Sequence, residues 1–118
     1  MDLPEIPVAL WCLRADRQRT GDGDRIHALA GRLGYDLCPV PITVKPEDTD
    51  WRTPIIAAVH AAIAEAVFVP DRRHLHDEPE AIVNYADVIT LRPFHTFQRQ
   101  PMSPRQIERI FNALKDLR

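Results

Sequence analysis

Hydrophobic residues along the chain fall into short unbroken runs and longer periodic stretches. Residues 7–13 and 66–69 are apolar at every position, and residues 86–91 are apolar except for Asp87 and Thr90. Such runs are typical of strands buried on both faces of a parallel sheet. Between these runs, apolar residues recur at helical spacing in 24–34, and an alanine-rich stretch covers 55–66. The pattern therefore predicts strands that alternate with helices.

A fourth apolar segment, residues 35–44, contains Pro39 and Pro41. Prolines two residues apart in a strand remove N–H groups from the same side, so one side of the strand can pair while the other faces solvent. We therefore expect this segment to be an edge strand, where proline also blocks unwanted pairing.

Capping residues set the expected ends of the first two helices. Asp22 or Asp24 can cap the start of the first helix, and Gly34 follows its end, where a left-handed residue is common. Thr53 followed by Pro54 predicts the start of the alanine-rich helix, because proline is favoured at the first helical position.

Two further helices are expected in the second half of the chain. A short one begins at Asp77 or Glu78 and ends near Tyr85, and a loop with proline covers 92–102. Ser103, Pro104 and Gln106 form a capping box that starts a final helix over about 103–117. Its apolar face consists of Ile107, Ile110, Phe111, Leu114 and Leu117.

The predicted order, βαβαβαβα, implies an α/β fold with right-handed crossovers. We expect a three-layer open parallel sheet of about four strands in the order 2-1-3-4, with the proline-containing strand at one edge. A chain of 118 residues is the size of one domain, so residues 1–118 are read as a single unit.

Composition and charge narrow the class of protein. Hydrophobic residues make up 45% of the chain, and the net charge is −2, which fits a globular protein without general attraction to nucleic acid. No apolar run is long enough to span a bilayer, and the N-terminus is acidic, unlike a signal peptide, so we expect a cytoplasmic protein. Of 15 cationic residues, 13 are arginine, a side chain suited to phosphate and carboxylate but also enriched by codon bias.

Charged residues follow the predicted strands at their carboxyl ends, where open α/β sheets bind ligands. A cradle for phosphate or nucleic acid, or a binding site for a partner, is one interpretation. The other is that the arginines are solvated or paired with Asp16, Asp71 and Asp77. The candidate residues for anion or partner binding are Arg14, Arg17, Asp71, Arg72, Arg73, His74 and Arg92.

No metal and no cofactor are expected. His74, His76 and Asp77 could ligate a metal, but two adjacent arginines make the site unfavourable for a cation. Cys12 and Cys38 lack metal-ligand spacing and are read as reduced core thiols. A glycine-rich phosphate loop is missing from the sequence, which has four glycines in all.

Three short motifs occur in a characteristic order and spacing: Leu13-Arg14-Ala15-Asp16-Arg17-Gln18, Leu33-Gly34-Tyr35 and Val69-Pro70-Asp71-Arg72-Arg73-His74-Leu75. In this order and spacing the chain resembles the catalytic domain of serine recombinases, the resolvases and invertases. The resemblance covers roughly residues 7–91. Small actinobacterial proteins with eroded versions of this domain are also similar, through Val-Pro-x-x-x-His-Leu and Ala-Asp-Val-Ile-Thr. The resemblance implies a resolvase-like fold.

The departures from that family concern its chemistry. The family's nucleophile is a serine just after the first strand, where this chain has Arg14, Ala15 and Asp16; its only serine, Ser103, lies at the predicted helix start. The family's Asp-Arg-Leu-x-Arg stretch reads here as Arg-His-Leu-His-Asp from position 73. Without the nucleophile, a covalent serine intermediate cannot form. We therefore expect no catalytic residue and a pseudoenzyme that cannot cleave DNA.

Two functions follow as hypotheses, and a new enzymatic activity through His74, Asp71 or His76 is the remaining alternative. The first is a non-catalytic interaction or regulatory module with a protein partner. The second is a protein that binds phosphate, nucleotide or nucleic acid through the strand-end arginines. The final helix is expected to pack on its own sheet, with a homodimer formed through this helix or the edge next to it; docking of the helix on a second copy is the alternative.

Overall fold

The computed structural model describes residues 5–100, 108, 109 and 111–113. It is an α/β fold with a mixed sheet and helices on both sheet faces. Its helices are α1 (Asp22–Arg32) and α2 (Arg52–Ala62). Its strands are β1 (Val8–Arg14), β2 (Asp36–Leu37), β3 (Ile42–Val44), β4 (Ala66–Val69), β5 (Asp87–Leu91) and β6 (Phe94–Phe97).

The sheet has the order β2-β1-β4-β5-β6, and β3 also pairs with β1. All pairings are parallel except that of β5 with β6. In the register of the central strands, Leu10 of β1 lies beside Val67 of β4, and Val67 lies beside Val88 of β5. The three strands β1, β4 and β5 thus end at the same edge of the sheet.

The proline-containing segment is not one continuous strand. It forms β2 and β3, which pair with the start and the end of β1, respectively. Pro39 and Pro41 lie in the connection between the two, where neither has to supply an N–H to a ladder. The prolines therefore divide the segment into two short strands, whereas we expected one continuous edge strand that contains them.

The helix caps differ from the predicted ones at two of the three ends for which a cap was predicted. Gly21, with φ +86°, precedes α1, and Asp22 is the buried first helical residue. Gly34, with φ +83°, follows α1 as expected. α2 begins after Trp51, and the Thr53 hydroxyl donates to Asp50 instead of capping the helix. At its other end α2 stops at Ala62, before Ile63, a left-handed residue with φ 52°.

The short helix expected between β4 and β5 is wrong. Residues there form two 3₁₀ turns, Arg72–Leu75 and Pro79–Ala81. Ile82 and Val83 follow the second turn; both are β-branched, and both are buried in the core. Their burial at adjacent positions does not suit the one-sided face of a surface helix, so core packing prevails over a helical pattern of so few residues.

The loop expected over residues 92–102 contains a strand. β6 pairs antiparallel with β5 after a tight turn at Arg92–Pro93, whose peptide bond is cis. The Thr90 hydroxyl donates to the Pro93 carbonyl at 2.6 Å and holds the turn against its own strand. The sheet is therefore mixed, not fully parallel as predicted.

Two hydrophobic cores lie on opposite faces of the sheet. The α2-side core has 14 buried residues, including Trp51, Ile55, Val67 and Leu75. The α1-side core has eight, namely Ala9, Trp11, Leu13, Ile26, Ala30, Ala66, Phe68 and Ile89. Alternate residues of each central strand enter different cores, which is why these strands read as unbroken apolar runs.

The final helix of the prediction lies mostly outside the described residues. Residues 108, 109 and 111–113 are helical, and Phe111 is 62% exposed. The remaining members of its predicted apolar face are not described. Among the helices that the structure describes, none is long and apolar enough to cross a membrane.

Candidate functional site

The loops that follow β1, β4 and β5 meet at one edge of the sheet. β1 leads into a 3₁₀ turn at Ala15–Arg17, β4 into Pro70 and the turn Arg72–Leu75, and β5 into Arg92. Parallel strands bring their carboxyl ends together, and this is the position where α/β sheets place their ligand sites. The candidate residues from the sequence are located here.

The loop after β4 is fixed by local hydrogen bonds. The Asp71 carboxylate accepts from the Arg73 N–H at 2.9 Å and so caps the turn. The N–H groups of His76 and Asp77 donate back to the carbonyls of Arg73 and Arg72. Both His76 and Asp77 adopt positive φ, 51° and 59°, which closes the turn at the cost of backbone strain.

His74 of this loop is fully buried. Its Nδ1 accepts from the Arg14 N–H at 2.9 Å, which joins the loop to the end of β1. The proton of the neutral ring is therefore assigned to Nε2, which is buried and has no partner among the described residues. Burial lowers the pKa of His74, and Arg92 and Arg14 act in the same direction, while Asp71 and Asp22 oppose them.

A buried ion pair links the start of α1 to the end of β5. Arg92 Nη1 donates to Asp22 Oδ1 at 2.6 Å, and Asp22 is 2% exposed. The Arg19 N–H donates to the second carboxylate oxygen at 3.1 Å. Burial alone would raise the pKa of Asp22, but the hydrogen bonds from Arg92 and Arg19 outweigh it, and the pKa is lowered.

Arg92 also approaches the loop after β4. Its Nη2 lies 3.6 Å from the Asp71 carboxylate. The guanidinium therefore lies between two carboxylates from different loops, and it is 28% exposed. This geometry makes Arg92 the common contact of three chain segments, those at the start of α1, after β4 and after β5.

Arg14 is paired with its near neighbour Asp16. Nε and Nη2 donate to the two carboxylate oxygens at 2.7 and 2.9 Å, a bidentate geometry. The hydrogen bond to Asp16 raises the pKa of Arg14, and the same bond lowers the pKa of Asp16. Arg14 therefore has its charge satisfied within its own loop.

Arg72 makes weaker contacts at the surface. It lies 3.8 Å from the Asp77 carboxylate and 3.6 Å from that of Glu80, and both carboxylates are more than half exposed. Exposed ion pairs at such distances contribute little to stability. Its firmer contact is a 2.7 Å hydrogen bond to the Asp77 carbonyl, which again closes the loop.

A strand-end cleft of about 390 Å³ opens over these residues, lined by Arg19, Asp71, Arg72, Arg73, Asp77 and Arg92. Four of the seven predicted residues, Asp71, Arg72, Arg73 and Arg92, line it. His74 and Arg14 lie beside it and are engaged with each other, and Arg17 is exposed on the turn after β1. The predicted arginines therefore share one edge of the sheet, but Arg14, Arg72 and Arg92 are paired with carboxylates.

Sequence reasoning missed Asp22 at this edge, whereas Arg19 and Asp77 belong to loops that were expected here but were not among the candidate residues. Asp22 lies between two glycines and was interpreted as a cap or a turn residue. The available signal was Arg92, because an arginine directly after a buried strand needs a counterion. Nothing in the sequence, however, shows that a residue 70 positions away supplies it.

The described part of the chain contains no group of three or more histidine, cysteine, aspartate or glutamate side chains arranged to hold a metal ion. Cys12 and Cys38 are free thiols. Burial raises the pKa of Cys12 to about 12, so this thiol is protonated and out of reach at neutral pH.

Comparisons of the chain with protein-family models, curated proteins and solved structures give no match.

Proposed function

We propose that this protein is a non-catalytic interaction or regulatory module on a serine-recombinase-like scaffold, with strand order and fold of the resolvase type. The sequence resemblance over residues 7–91 supports the scaffold. The main support for a non-catalytic role is the burial of His74. Its side chain is 0% exposed, and its Nδ1 accepts a hydrogen bond from the Arg14 N–H. A general base must reach a substrate proton, and this ring is enclosed by the protein.

The ionic contacts around His74 support the same function. The Arg92–Asp22 pair joins the end of β5 to the start of α1, and the Arg14–Asp16 pair satisfies charge within the loop after β1, so neither pair presents free charge. Active-site residues commonly lower stability, so their replacement often leaves the fold intact or strengthens it. A network that only holds loops together has the opposite signature, because its loss weakens the fold.

The first experiment tests catalysis directly. The protein is incubated with supercoiled plasmid, and the products are examined for strand breaks, changes in linking number and a covalent protein–DNA adduct. We expect none of these, because no serine follows β1 and Cys12 is enclosed. A trapped adduct, or plasmid relaxation that purifies with the protein, would show that the chain is an enzyme.

The second experiment measures whether the network stabilises the fold. Removing one partner of a buried ion pair costs about 3–5 kcal/mol, and the partial exposure of Arg92 reduces this to about 2–3 kcal/mol for Asp22→Asn. Urea unfolding followed by circular dichroism gives the change. The control is Asp24→Asn, an exposed carboxylate in the same turn of α1, which we expect to alter stability by less than about 0.5 kcal/mol. An unchanged or more stable Asp22→Asn variant would contradict the structural role.

A homodimer through the final helix or the adjacent sheet edge belongs to the same proposal. The support from the described residues is Phe111, which is 62% exposed on a helical segment. Sedimentation equilibrium over a range of concentrations tests it. We expect a dimer that Phe111→Asp converts to a monomer, whereas a monomer at every concentration would eliminate self-association.

A further inference from the structure

Helix α1 covers only part of its face of the sheet. It packs over β2, β1 and β4, where Ile26 and Ala30 meet Phe68 in the α1-side core. Farther across the same face, burial falls from Ile89 at 2% exposed to Phe94 at 58% exposed. The paired residues Leu91 and Phe94 therefore form a strip of apolar surface without a covering helix among the described residues.

An open depression lies where α1 borders this strip. This α1–β6 groove measures about 430 Å³ and is lined by Arg25, Ala28, Leu29, Arg32, Leu91 and Phe94. Its volume is within the range of ligand and peptide-anchor sites. Phe94 supplies an exposed aromatic ring, and the side chains of Ala28, Leu29 and Leu91 supply the rest of the apolar surface.

The charge of the groove is of one sign. Arg25 and Arg32 are seven residues apart, two turns of α1, and so lie on the same side of the helix. Both are exposed, neither forms an ion pair with any described residue, and the lining contains no carboxylate. In the strand-end cleft, by contrast, the lining includes Asp71 and Asp77, which lie within ion-pair distance of Arg92 and Arg72. The groove thus combines an apolar surface with two positive charges, those of Arg25 and Arg32, that no carboxylate of the lining neutralises.

We propose that the α1–β6 groove binds a short acidic segment of a partner protein, which places one large apolar side chain against Phe94 and carboxylates on Arg25 and Arg32. The proposal rests on the interaction function above and names the surface and the chemistry of its partner. An apolar anchor flanked by charged pairs is a common form of peptide recognition, in which the anchor supplies affinity and the charges supply selectivity.

Charge also argues against two other occupants. A second copy bound symmetrically would bring Arg25 and Arg32 of both chains into one interface, and like charges that close repel. The chain's own residues 101–118 carry four cations, Arg105, Arg109, Lys115 and Arg118, against the two anions Glu108 and Asp116. A segment with that net positive charge is a poor match for a cationic groove.

Selection from a displayed library of short random peptides, with the whole protein immobilised, tests the proposal. We expect the enriched peptides to combine aspartate or glutamate with a large apolar residue. Labelled synthetic copies are then measured by fluorescence anisotropy, and their affinity is expected to fall as salt is raised, since salt screens exposed charge pairs.

Matched variants locate the binding. Arg25→Glu combined with Arg32→Glu should weaken binding about ten-fold or more, because two attractive contacts become repulsive. Phe94→Ser should weaken it by removal of the apolar contact. The controls are Lys45→Glu, an exposed cation outside the groove, and Val40→Ser, which is 70% exposed on another surface. Both controls should bind as the parent protein does.

The outcomes separate this inference from the function on which it rests. Peptides that bind equally well to the groove variants would contradict binding in the α1–β6 groove, but they would remain compatible with an interaction module. No enriched peptide, or enriched peptides that are basic, also overturns the groove. Binding that depends on the groove supports it, and DNA cleavage in the separate plasmid experiment would overturn the non-catalytic function without regard to the peptides.

Discussion

At the scale of single residues, His74 makes the stability of the fold depend on pH. The fold holds the ring neutral, because Nδ1 must accept the Arg14 N–H and the ring is fully buried. The pKa of His74 is therefore lower in the folded protein than the ordinary value of 6.5. As pH falls below about 6.5, the unfolded chain binds a proton that the native state does not, so the native state loses stability.

This leads to a prediction about pH. The free energy of unfolding should decrease between pH 7.5 and pH 5.5 by up to about 1.4 kcal/mol per pH unit, until the lowered pKa of His74 is reached. His74→Asn should flatten this dependence, because its Oδ1 can still accept from Arg14 but does not titrate. Urea unfolding at each pH provides the measurement.

The matched control for His74→Asn is His60→Gln, which removes an exposed histidine on α2. We expect it to keep the pH dependence of the parent protein. A parent stability that is flat over this range, or one that rises towards pH 5.5, would contradict the assignment of His74 as a buried neutral acceptor.

At the scale of the elements, the end of α2 carries an unfavourable residue. Ile63 adopts φ 52° and ψ 45°, and its side chain is 83% exposed. A β-branched residue in the left-handed region is strained, and exposure means that little packing compensates. Its backbone N–H bonds to the last turn of α2, so the conformation is needed to end the helix.

We therefore predict that Ile63→Gly stabilises the protein by about 1 kcal/mol, since glycine adopts this conformation without strain. Ile63→Val is the control, because it keeps the β-branch and should give no gain. Thermal unfolding of the three proteins would decide the matter, and a glycine variant less stable than the parent would show that the Ile63 side chain has a contact of its own.

The sequence predicted those elements whose signals are local. The three apolar runs correspond to β1, β4 and β5, and Gly34 has the left-handed conformation expected after α1. β6 was missed because Pro93 and the polar residues around it indicate a loop, while pairing with β5 decides the outcome. The short helix before β5 failed for a related reason, since burial of Ile82 depends on tertiary packing.

The candidate site was predicted in position, and pairing of its arginines with carboxylates of the same loops was one of the two interpretations, but the pair of Arg92 with Asp22 was not predicted. Strand order and the direction of parallel strands suffice to bring the loops after β1, β4 and β5 to one edge. Whether Arg92 is free or paired depends on Asp22, which the fold brings to it from the start of α1. The α1–β6 groove was likewise not predicted, because its lining combines one face of α1 with an unrecognised strand.

At the scale of the whole molecule, each face of the sheet contains one of the chain's two tryptophans. Trp11 belongs to the α1-side core and Trp51 to the α2-side core, and each is 6% exposed. The eight-residue core around Trp11 has less buried apolar material than the 14-residue core around Trp51. Regions with fewer buried contacts open at lower free energy.

The molecule therefore contains one natural fluorescent reporter for each of its halves. In Trp51→Phe, the emission of Trp11 is expected to change at a lower urea concentration than the far-ultraviolet circular dichroism of the same sample. In Trp11→Phe, the emission of Trp51 and the circular dichroism should change together. Coincident curves in both variants would mean that the two halves unfold as one cooperative unit.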